Sequence, residues 1–474
     1  MELSLAEVAE ATQGALQDAD PTTRVTQGVE YDSRRIEPGG LFLALPGERV
    51  DGHEFAGSAI DRGAVAVLCT RPVPVPRIQV ADGIEAVTAL ATAVARRLSA
   101  TIVGITGSSG KTSSKDLLGQ VLAHAGRTVA PAGSHNNELG HPYTVLQADE
   151  QTRYLVLELG ARGIGHIAHL AHIAPPRIGV VLNVGTAHLG EFGSREAIAK
   201  AKGELVEALP ADGVAVLNAD DPLVLAMAER TGARVATFGT TATAHVRGTD
   251  VVLDDFSRPA FTVHADGESA RIQLRLIGAH HVGNALAVTA VARAVGMSLP
   301  AIAGALAEAT PTSRWRMEVT ERSDGVTIIN DAYNANPESM RAALETLAVV
   351  TRSRGGRAVA VLGQMAELGP AERAEHEGIG RLAAGLDIAR VVTVGDAARS
   401  IGSAAALERS WDGEAQSVPD AEAAIAAVRA LLRPGDVVLV KASRAASLEQ
   451  VALTIAEDGG YRAPAEARGD DAWA

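Results

Sequence analysis

The stretch Gly104-Ile105-Thr106-Gly107-Ser108-Ser109-Gly110-Lys111-Thr112 constrains this chain more than any other. It follows an apolar run and opens a helical pattern, which is the strand-loop-helix junction that wraps nucleotide phosphates. Glycines at 107 and 110 let the backbone N–H groups of the loop, those of Ser108 and Ser109 included, turn inward on an anion. Lys111 adds a point charge near the terminal phosphates, and Thr112 offers a hydroxyl to Mg²⁺. The spacing departs from the common pattern, since Ile105 stands five residues before Gly110 and Gly107 two places further on. An ordinary glycine turn is the alternative. Gly-Lys-Thr at a helix start favours the nucleotide, ATP or GTP.

The rest of the chain repeats the strand-helix rhythm that such a loop needs. With 474 residues, 47% of them hydrophobic, it can build several cores. Residues 1–98 hold short apolar runs (Leu41 to Leu45, Ala64 to Leu68) and a helical pattern from Ile84 to Leu98, predicting a small α/β domain. Residues 99–312 alternate runs such as Tyr154 to Leu159 and Ile178 to Asn183 with helical segments such as Ser194 to Leu209, predicting a mostly parallel sheet covered by helices. Beyond a hinge at Ala309-Thr310-Pro311-Thr312-Ser313, residues 313–474 repeat the pattern, with strands predicted at Val326 to Asn330, Arg357 to Leu362, Arg390 to Val394 and Asp436 to Val440. The polar tail from Gly459, with its Arg468-Gly469-Asp470, is expected to fray.

A net charge of −14 argues against nucleic acid or an anionic membrane as partner. The N-terminus lacks a basic start before an apolar core, and no apolar run reaches membrane-spanning length, so a cytoplasmic protein without membrane insertion is expected. The single cysteine, Cys69, excludes an internal disulfide and reads as a buried strand thiol. Lysine is scarce: of 43 basic residues only those at 111, 115, 200, 202 and 441 are Lys. In an Arg-dominated chain each raises the question whether a primary amine is needed there. For Lys115 and Lys200 a solvated helix face is the plain reading.

Other polar positions fall where open α/β sheets bind ligands, at the carboxyl ends of strands. Glu158 ends a strand and can complete a Mg²⁺ site begun by Thr112, although a Glu there is often only a turn or cap residue. Asn183-Val184-Gly185-Thr186-Ala187-His188 leaves the next strand, with His188 fourteen residues before Lys202. His166, His169 and His172 share a helical face, but spacing three and the following Pro175-Pro176 point to a solvated face rather than a metal site. Gly278 to Ala287 reads as a glycine turn feeding an apolar helix whose polar residues face the nucleotide. Asn330-Asp331-Ala332-Tyr333-Asn334-Ala335-Asn336-Pro337 crowds amides and an acid into one loop, a density that turn chemistry could also produce.

Together these motifs resemble the Mur ligase family over nearly the whole chain. The stretches that carry the resemblance are Thr106 to Thr112 with Lys115-Asp116, Asn136-Asn137-Glu138-Leu139-Gly140, Asn183 to Leu189 with Phe192-Gly193-Ser194, Asp331 to Pro337, and Leu362-Gly363-Gln364-Met365-Ala366-Glu367-Leu368-Gly369. The last two favour the member that joins D-alanyl-D-alanine to a UDP-N-acetylmuramoyl-tripeptide. A sister that adds the third amino acid carries an Asp-Asn-Pro-Arg sequence, which does not occur here.

The resemblance implies three domains, the last Rossmann-like, and an ATP-dependent peptide ligase of peptidoglycan precursor synthesis that works as a monomer through an acyl phosphate. It implies that Lys111 and the loop hold the ATP phosphates, that Thr112 and Glu158 hold one Mg²⁺ and His188 helps to hold a second, and that Lys202 carries CO₂ as a carbamate. It puts Asn284 at adenine, Arg316 across the domain boundary at the phosphates and Asp331 at ribose. Ser33 and Arg34 fall to the uridine diphosphate and Asn136 and Asn137 to the sugar and peptide. Asn334, Asn336, Lys441, Ser443 and Arg444 fall to the incoming dipeptide's side. His281 and Ser134 stand where the family often has Asn, and Trp315 sits inside the Arg316 segment. The rival readings are a ligase with another amino-acid or folate-type acceptor, of which the folate-type should lack Asp32-Ser33-Arg34 and the 331–337 loop, and a nucleotide switch that needs no amine.

Overall fold

In the computed structural model, residues 2–47 and 50–460 are described; the tail with Arg468-Gly469-Asp470 lies outside them. The run Thr101–Thr106 forms a strand inside a nine-stranded sheet, with Tyr154–Glu158 parallel on one side and Ile178–Val181 parallel on the other. Glu158 pairs in register with Ile105, and Val181 with Thr106, so three strand ends finish level with the phosphate loop. These strands read as nearly continuous apolar runs because both faces are covered. Ile102, Leu155, Leu157 and Val181 join one core, while Val103, Ile105, Val156 and Val180 join the other, the alternation that a pleated strand imposes. Helices Lys111–Ala123 and His281–Ala294 cover the second face, and Arg195–Glu207 packs on the first.

The sheet continues through Val214–Asn218 and Arg234–Gly239 to Val246–Leu253, then turns antiparallel through Pro259–Ala265 and Glu268–Gln273. That three-stranded meander was not legible from sequence. Much of it is exposed or half-exposed, so it lacks the apolar runs that marked the other strands.

A five-stranded sheet lies N-terminal to this one, in the order Ala15–Gln17, Arg77–Gln79, Ala66–Cys69, Leu41–Ala44, Val29–Glu30. Cys69 is buried in it as a strand residue. A six-stranded sheet follows, in the order Glu318–Glu321, Thr327–Asn330, Val437–Lys441, Ala358–Leu362, Arg390–Val394, Glu414–Val418, antiparallel only at its first pair. The molecule is thus three α/β domains. The hinge segment is tied down: Ser313 N donates to Asp116 Oδ2 at 3.0 Å, and Thr310 exchanges hydrogen bonds with Gln120. No described helix is long and apolar enough to cross a membrane.

Candidate functional site

A single cleft of about 1910 Å³ runs between the three domains, and the phosphate loop sits midway along it. Several other helices begin on a side-chain cap, as at Ser4, Asp82, Ser194 and Asp420. The helix Lys111–Ala123 begins at Gly110 with φ +81° and no side-chain cap, which leaves its first-turn N–H groups for an anion. Glycine is required here twice over. A Cβ at Gly110 would lie 2.8 Å from Asn284 Oδ1, and one at Gly107 2.9 Å from Leu182 Cβ. Lys111 Nζ folds back to donate to Gly107 O at 2.8 Å. Burial pulls its amine below the ordinary lysine value; the charge of Glu158 opposes this and that of Arg316 adds to it, so both groups bear on the same point.

Glu158, 2% exposed, receives a hydrogen bond from Ser134 Oγ on Oε2 (3.0 Å), while Oε1 is buried with no partner. An orphaned carboxylate oxygen at that depth suits a cation. Among the described residues no three His, Cys, Asp or Glu side chains converge, so a cation here needs oxygens from outside the chain, as Mg²⁺ bound to phosphates does. Thr112 is buried at the helix start beside Lys111. His188, in a left-handed conformation (φ +61°), lines the cleft and pairs through Nδ1 with Glu367 of the third domain.

Lys202 is 3% exposed, and its amine meets no carboxylate. The neighbours that could have paired with it are taken: Glu204 accepts from Gly165 N and Ala168 N, and Glu207 pairs with Arg230. Burial first, then the charge of Lys111, hold the Lys202 amine well below its ordinary value. Lys200 is exposed as expected, but Lys115 is not. Its amine is buried on Asp116 Oδ1 (2.6 Å) and the Pro131 carbonyl, because Asp116 is the acid that anchors the hinge.

Ser33 and Arg34 line the first-domain end of the cleft, Ser33 buried and Arg34 forked on Asp32. Asn136 Nδ2 donates to Ser134 Oγ, extending the Glu158 network, whereas Asn137 Oδ1 is spent on Leu139 N and Gly140 N. Asn284, His280 and His281 line the cleft behind Gly110, with Asn284 Nδ2 3.3 Å from His281 Nδ1. Arg316 lies over the Tyr333 ring at 4.1 Å, its Nε buried and unbonded. Its flanks, Trp315 and Met317, both adopt positive φ (+56° and +54°). Asp331 Oδ1 accepts from Met317 N, and Asp331 Oδ2 from Lys441 Nζ at 2.6 Å, so this acid both lines the cleft and steadies the Arg316 segment.

Several third-domain candidates turn out to be busy with the protein itself. Lys441 also donates to Asn334 O, and Asn334 Oδ1 accepts from Ala335 N. Asn336 caps the helix Pro337–Arg354, Ser443 bridges Ala366 N and Ala335 O, and Arg444 pairs with Glu449 above the Trp315 ring. All of them line the cleft. His169 and His172 are exposed, as a solvated face predicts.

Two residues at the loop were missed. Asn183 Oδ1 accepts from both Ser108 N (2.9 Å) and Ser109 N (3.0 Å), so these two amides, expected to turn on an anion, are held by the protein instead. An amide leaving the strand next to the loop strand was the available signal. Glu338 reaches Thr186 across 152 positions of sequence, and nothing local announces it.

Three family descriptions match the chain: "Mur ligase family, catalytic domain" over residues 25–100, "Mur ligase middle domain" over 105–292, and "Mur ligase, glutamate ligase domain" over 315–444. The UDP-N-acetylmuramoyl-tripeptide--D-alanyl-D-alanine ligase of Mycobacterium tuberculosis (strain ATCC 25618 / H37Rv) is 52% identical, over 97% of this chain and 98% of that protein. The ligase of the same name from Escherichia coli (strain K12) is 36% identical over 96% and 99%. Among solved structures, MurF from Acinetobacter baumannii superposes with TM-score 0.82 at 30% identity, covering 96% of this chain and 99% of that one. MurF ligase from Thermotoga maritima in complex with ADP gives 0.76 at 30% identity, covering 93% and 99%.

Proposed function

Because the chain belongs to the Mur ligase family, we propose that it is the ATP-dependent ligase that joins D-alanyl-D-alanine to UDP-N-acetylmuramoyl-tripeptide in peptidoglycan precursor synthesis. The observation that carries this reading is the continuity of one cleft from Ser33 and Arg34, past the phosphate loop, to Arg316, Asp331 and Lys441. Three ligands can then meet at one point, each held largely by one domain. Residues 1–98 take the UDP end, 99–312 the ATP, and 313–474 the dipeptide. A monomer in the cytoplasm completes the proposal.

The terminal carboxylate oxygen of the tripeptide attacks the γ-phosphorus, the bond to the ADP oxygen breaks, and an acyl phosphate forms. The dipeptide amine then attacks the acyl carbon. A C–N bond forms, the C–O bond to phosphate breaks, and the amine loses its proton. Two anions must meet in the first step, so the charges of Lys111 and Arg316 and the uncapped helix N-terminus offset repulsion and stabilise the transferring phosphoryl group. Asn183 holds the loop in shape, and Asn284 and Asp331 take the adenine and ribose.

Thr112 and Glu158 would hold one Mg²⁺, and His188 with a carbamylated Lys202 a second, and such ions would supply charge neutralisation between carboxylate and phosphates. The free Glu158 Oε1 fits the first. A Lys202 amine with no carboxylate against it, held by burial well below its ordinary value, fits the carbamate, because only R–NH₂ adds CO₂, giving R–NH–COO⁻ and a proton.

The test is phosphate release with each substrate omitted in turn. Turnover that requires both UDP-tripeptide and D-Ala-D-Ala, with single amino acids serving poorly, supports the ligase. Equal ATP turnover without either leaves a nucleotide switch.

A further inference from the structure

We propose that Glu338 is a positioning residue that fastens the third domain to the phosphate loop, so that the loop is held in its working shape only when that domain is docked. This rests on the reading above, in which the loop binds ATP and the third domain brings the amine.

The argument begins at the start of the helix Pro337–Arg354. Its cap, Asn336, uses Oδ1 in the usual way, accepting from Ser339 N at 2.9 Å. That leaves Nδ2 free, and it donates to Ser108 O of the phosphate loop at 3.3 Å. Glu338 stands one residue into the helix, where a carboxylate would ordinarily turn to its own helix's N–H groups. Instead it crosses to the central domain. Its Oε1 accepts from Thr186 N at 2.8 Å and from Thr186 Oγ1 at 3.0 Å.

The central domain is shaped to admit it. A Cβ at Gly185 would lie 2.6 Å from Glu338 Cδ, so only glycine leaves the carboxylate room. From there the connection to the loop is short. Gly185 N donates to Ser108 Oγ at 2.9 Å, and Asn183, two residues earlier, holds Ser108 N and Ser109 N. Glu338 and Asn336 therefore grip the loop from outside, through Thr186 and through Ser108 itself.

The grip has no simpler explanation in charge. Among the described residues Glu338 forms no ion pair, and its Oε2 is buried without a partner, an arrangement that costs free energy. A second contact lies on the same seam: Gly190 N donates to Glu367 O at 3.0 Å, and a Cβ at Gly190 would lie 2.6 Å from Gly369 N. Gly190 does not have positive φ, so alanine suits its own helix and only the docked third domain opposes it.

Three variants of the full chain test this: Glu338→Ala, Glu338→Gln and Gly190→Ala. The measurements are kcat, the KM of each substrate, melting temperature, and the radius of gyration by small-angle scattering with and without ADP. Glu338→Ala should lose about 10²- to 10⁴-fold in kcat, the scale of two hydrogen bonds to a charged group. The KM for UDP-tripeptide should hold within about 2-fold, since its UDP end is held at the far end of the cleft, and the radius of gyration should rise. Glu338→Gln keeps an oxygen for both Thr186 donors and should stay within about 3-fold of wild type. Gly190→Ala should expand the molecule as Glu338→Ala does, by a wedge rather than a lost bond.

Should Glu338→Ala fold poorly, Thr186→Val removes only the hydroxyl half of the contact, and its expected effect is a smaller loss of the same kind. Wild-type kcat and dimensions in Glu338→Ala, or in Thr186→Val if that is the variant used, would overturn the proposal. So would equal damage from Gln and Ala, which would mean that the charge itself takes part in the chemistry. A wild-type protein that shows no substrate-dependent turnover fails the ligase reading instead, and the scattering arm still decides whether Glu338 docks the domain.

Discussion

Replacing Lys202 by methionine should make the protein more stable and nearly inactive at once. Methionine keeps an unbranched chain of similar length in the same space and removes only the amine. That amine is buried with no carboxylate against it, and burial holds it below its ordinary value. Desolvating an amine with no carboxylate beside it costs about 1–3 kcal/mol, so in CO₂-depleted buffer at neutral pH Lys202→Met should gain up to about that much. For a domain of this size the gain corresponds to a rise of about 2–4 °C in melting temperature per kcal/mol.

The sign with pH follows from linkage. Between the depressed folded value and the ordinary 10.5, the unfolded chain binds a proton that the folded one does not, so wild-type stability climbs with pH. The advantage of the variant should narrow as pH approaches 10.5. Added bicarbonate should stabilise the wild type alone, because only it can form the carbamate and recover from it a bound cation. Turnover should move the other way, falling about 10²- to 10³-fold, the scale of one lost electrostatic contact in the transition state. Calorimetric melts across pH and a phosphate-release assay check both halves. A variant less stable than wild type would refute the claim of an unpaired amine, and wild-type turnover would refute the carbamate.

Three further outcomes follow from the geometry. Lys111→Ala should abolish turnover with the fold intact, and Lys111→Arg should restore little, because a planar fork does not fit where a compact ammonium packs against Gly107 O; circular dichroism with steady-state assays would show this. Glu158→Gln keeps an acceptor for Ser134 but loses the charge at its free oxygen, so the Mg²⁺ concentration needed for half-maximal rate should rise at least about 10-fold; an unchanged requirement would exclude Glu158 as a ligand. Glu7 lies in a capping box, where first the Ser4 backbone N–H and then Arg97 hold its carboxyl down to about 2. Its contribution, about 0.5–1 kcal/mol after discounting its exposure, is complete above pH 4.5 and lost as pH falls through 2, so Glu7→Gln should melt lower at pH 6 and match wild type near pH 2.

What the sequence determined by itself was whatever depends on short-range order. The glycine spacing of 104–112 specified a strand-loop-helix junction because backbone conformation there is a local property. The apolar runs specified buried parallel strands, since only a strand covered on both faces is apolar throughout. The scarcity of lysine directed attention to amines, three of which, at 115, 202 and 441, are buried. The same reasoning misjudged Lys115, whose partners include the Pro131 carbonyl sixteen residues away, and passed over the antiparallel meander, whose two flanking strands are solvated enough to look like loops. Only the tertiary structure decided that Lys202 is left unpaired, that Lys441 is committed to Asp331, and that Asn183 and Glu338 hold the phosphate loop. Those outcomes depend on which groups from distant strands compete for the same few hydrogen bonds at the level where three strand ends meet. That competition is settled by packing in three dimensions, where residues 152 positions apart come within 2.8 Å, and no local pattern of residues encodes it.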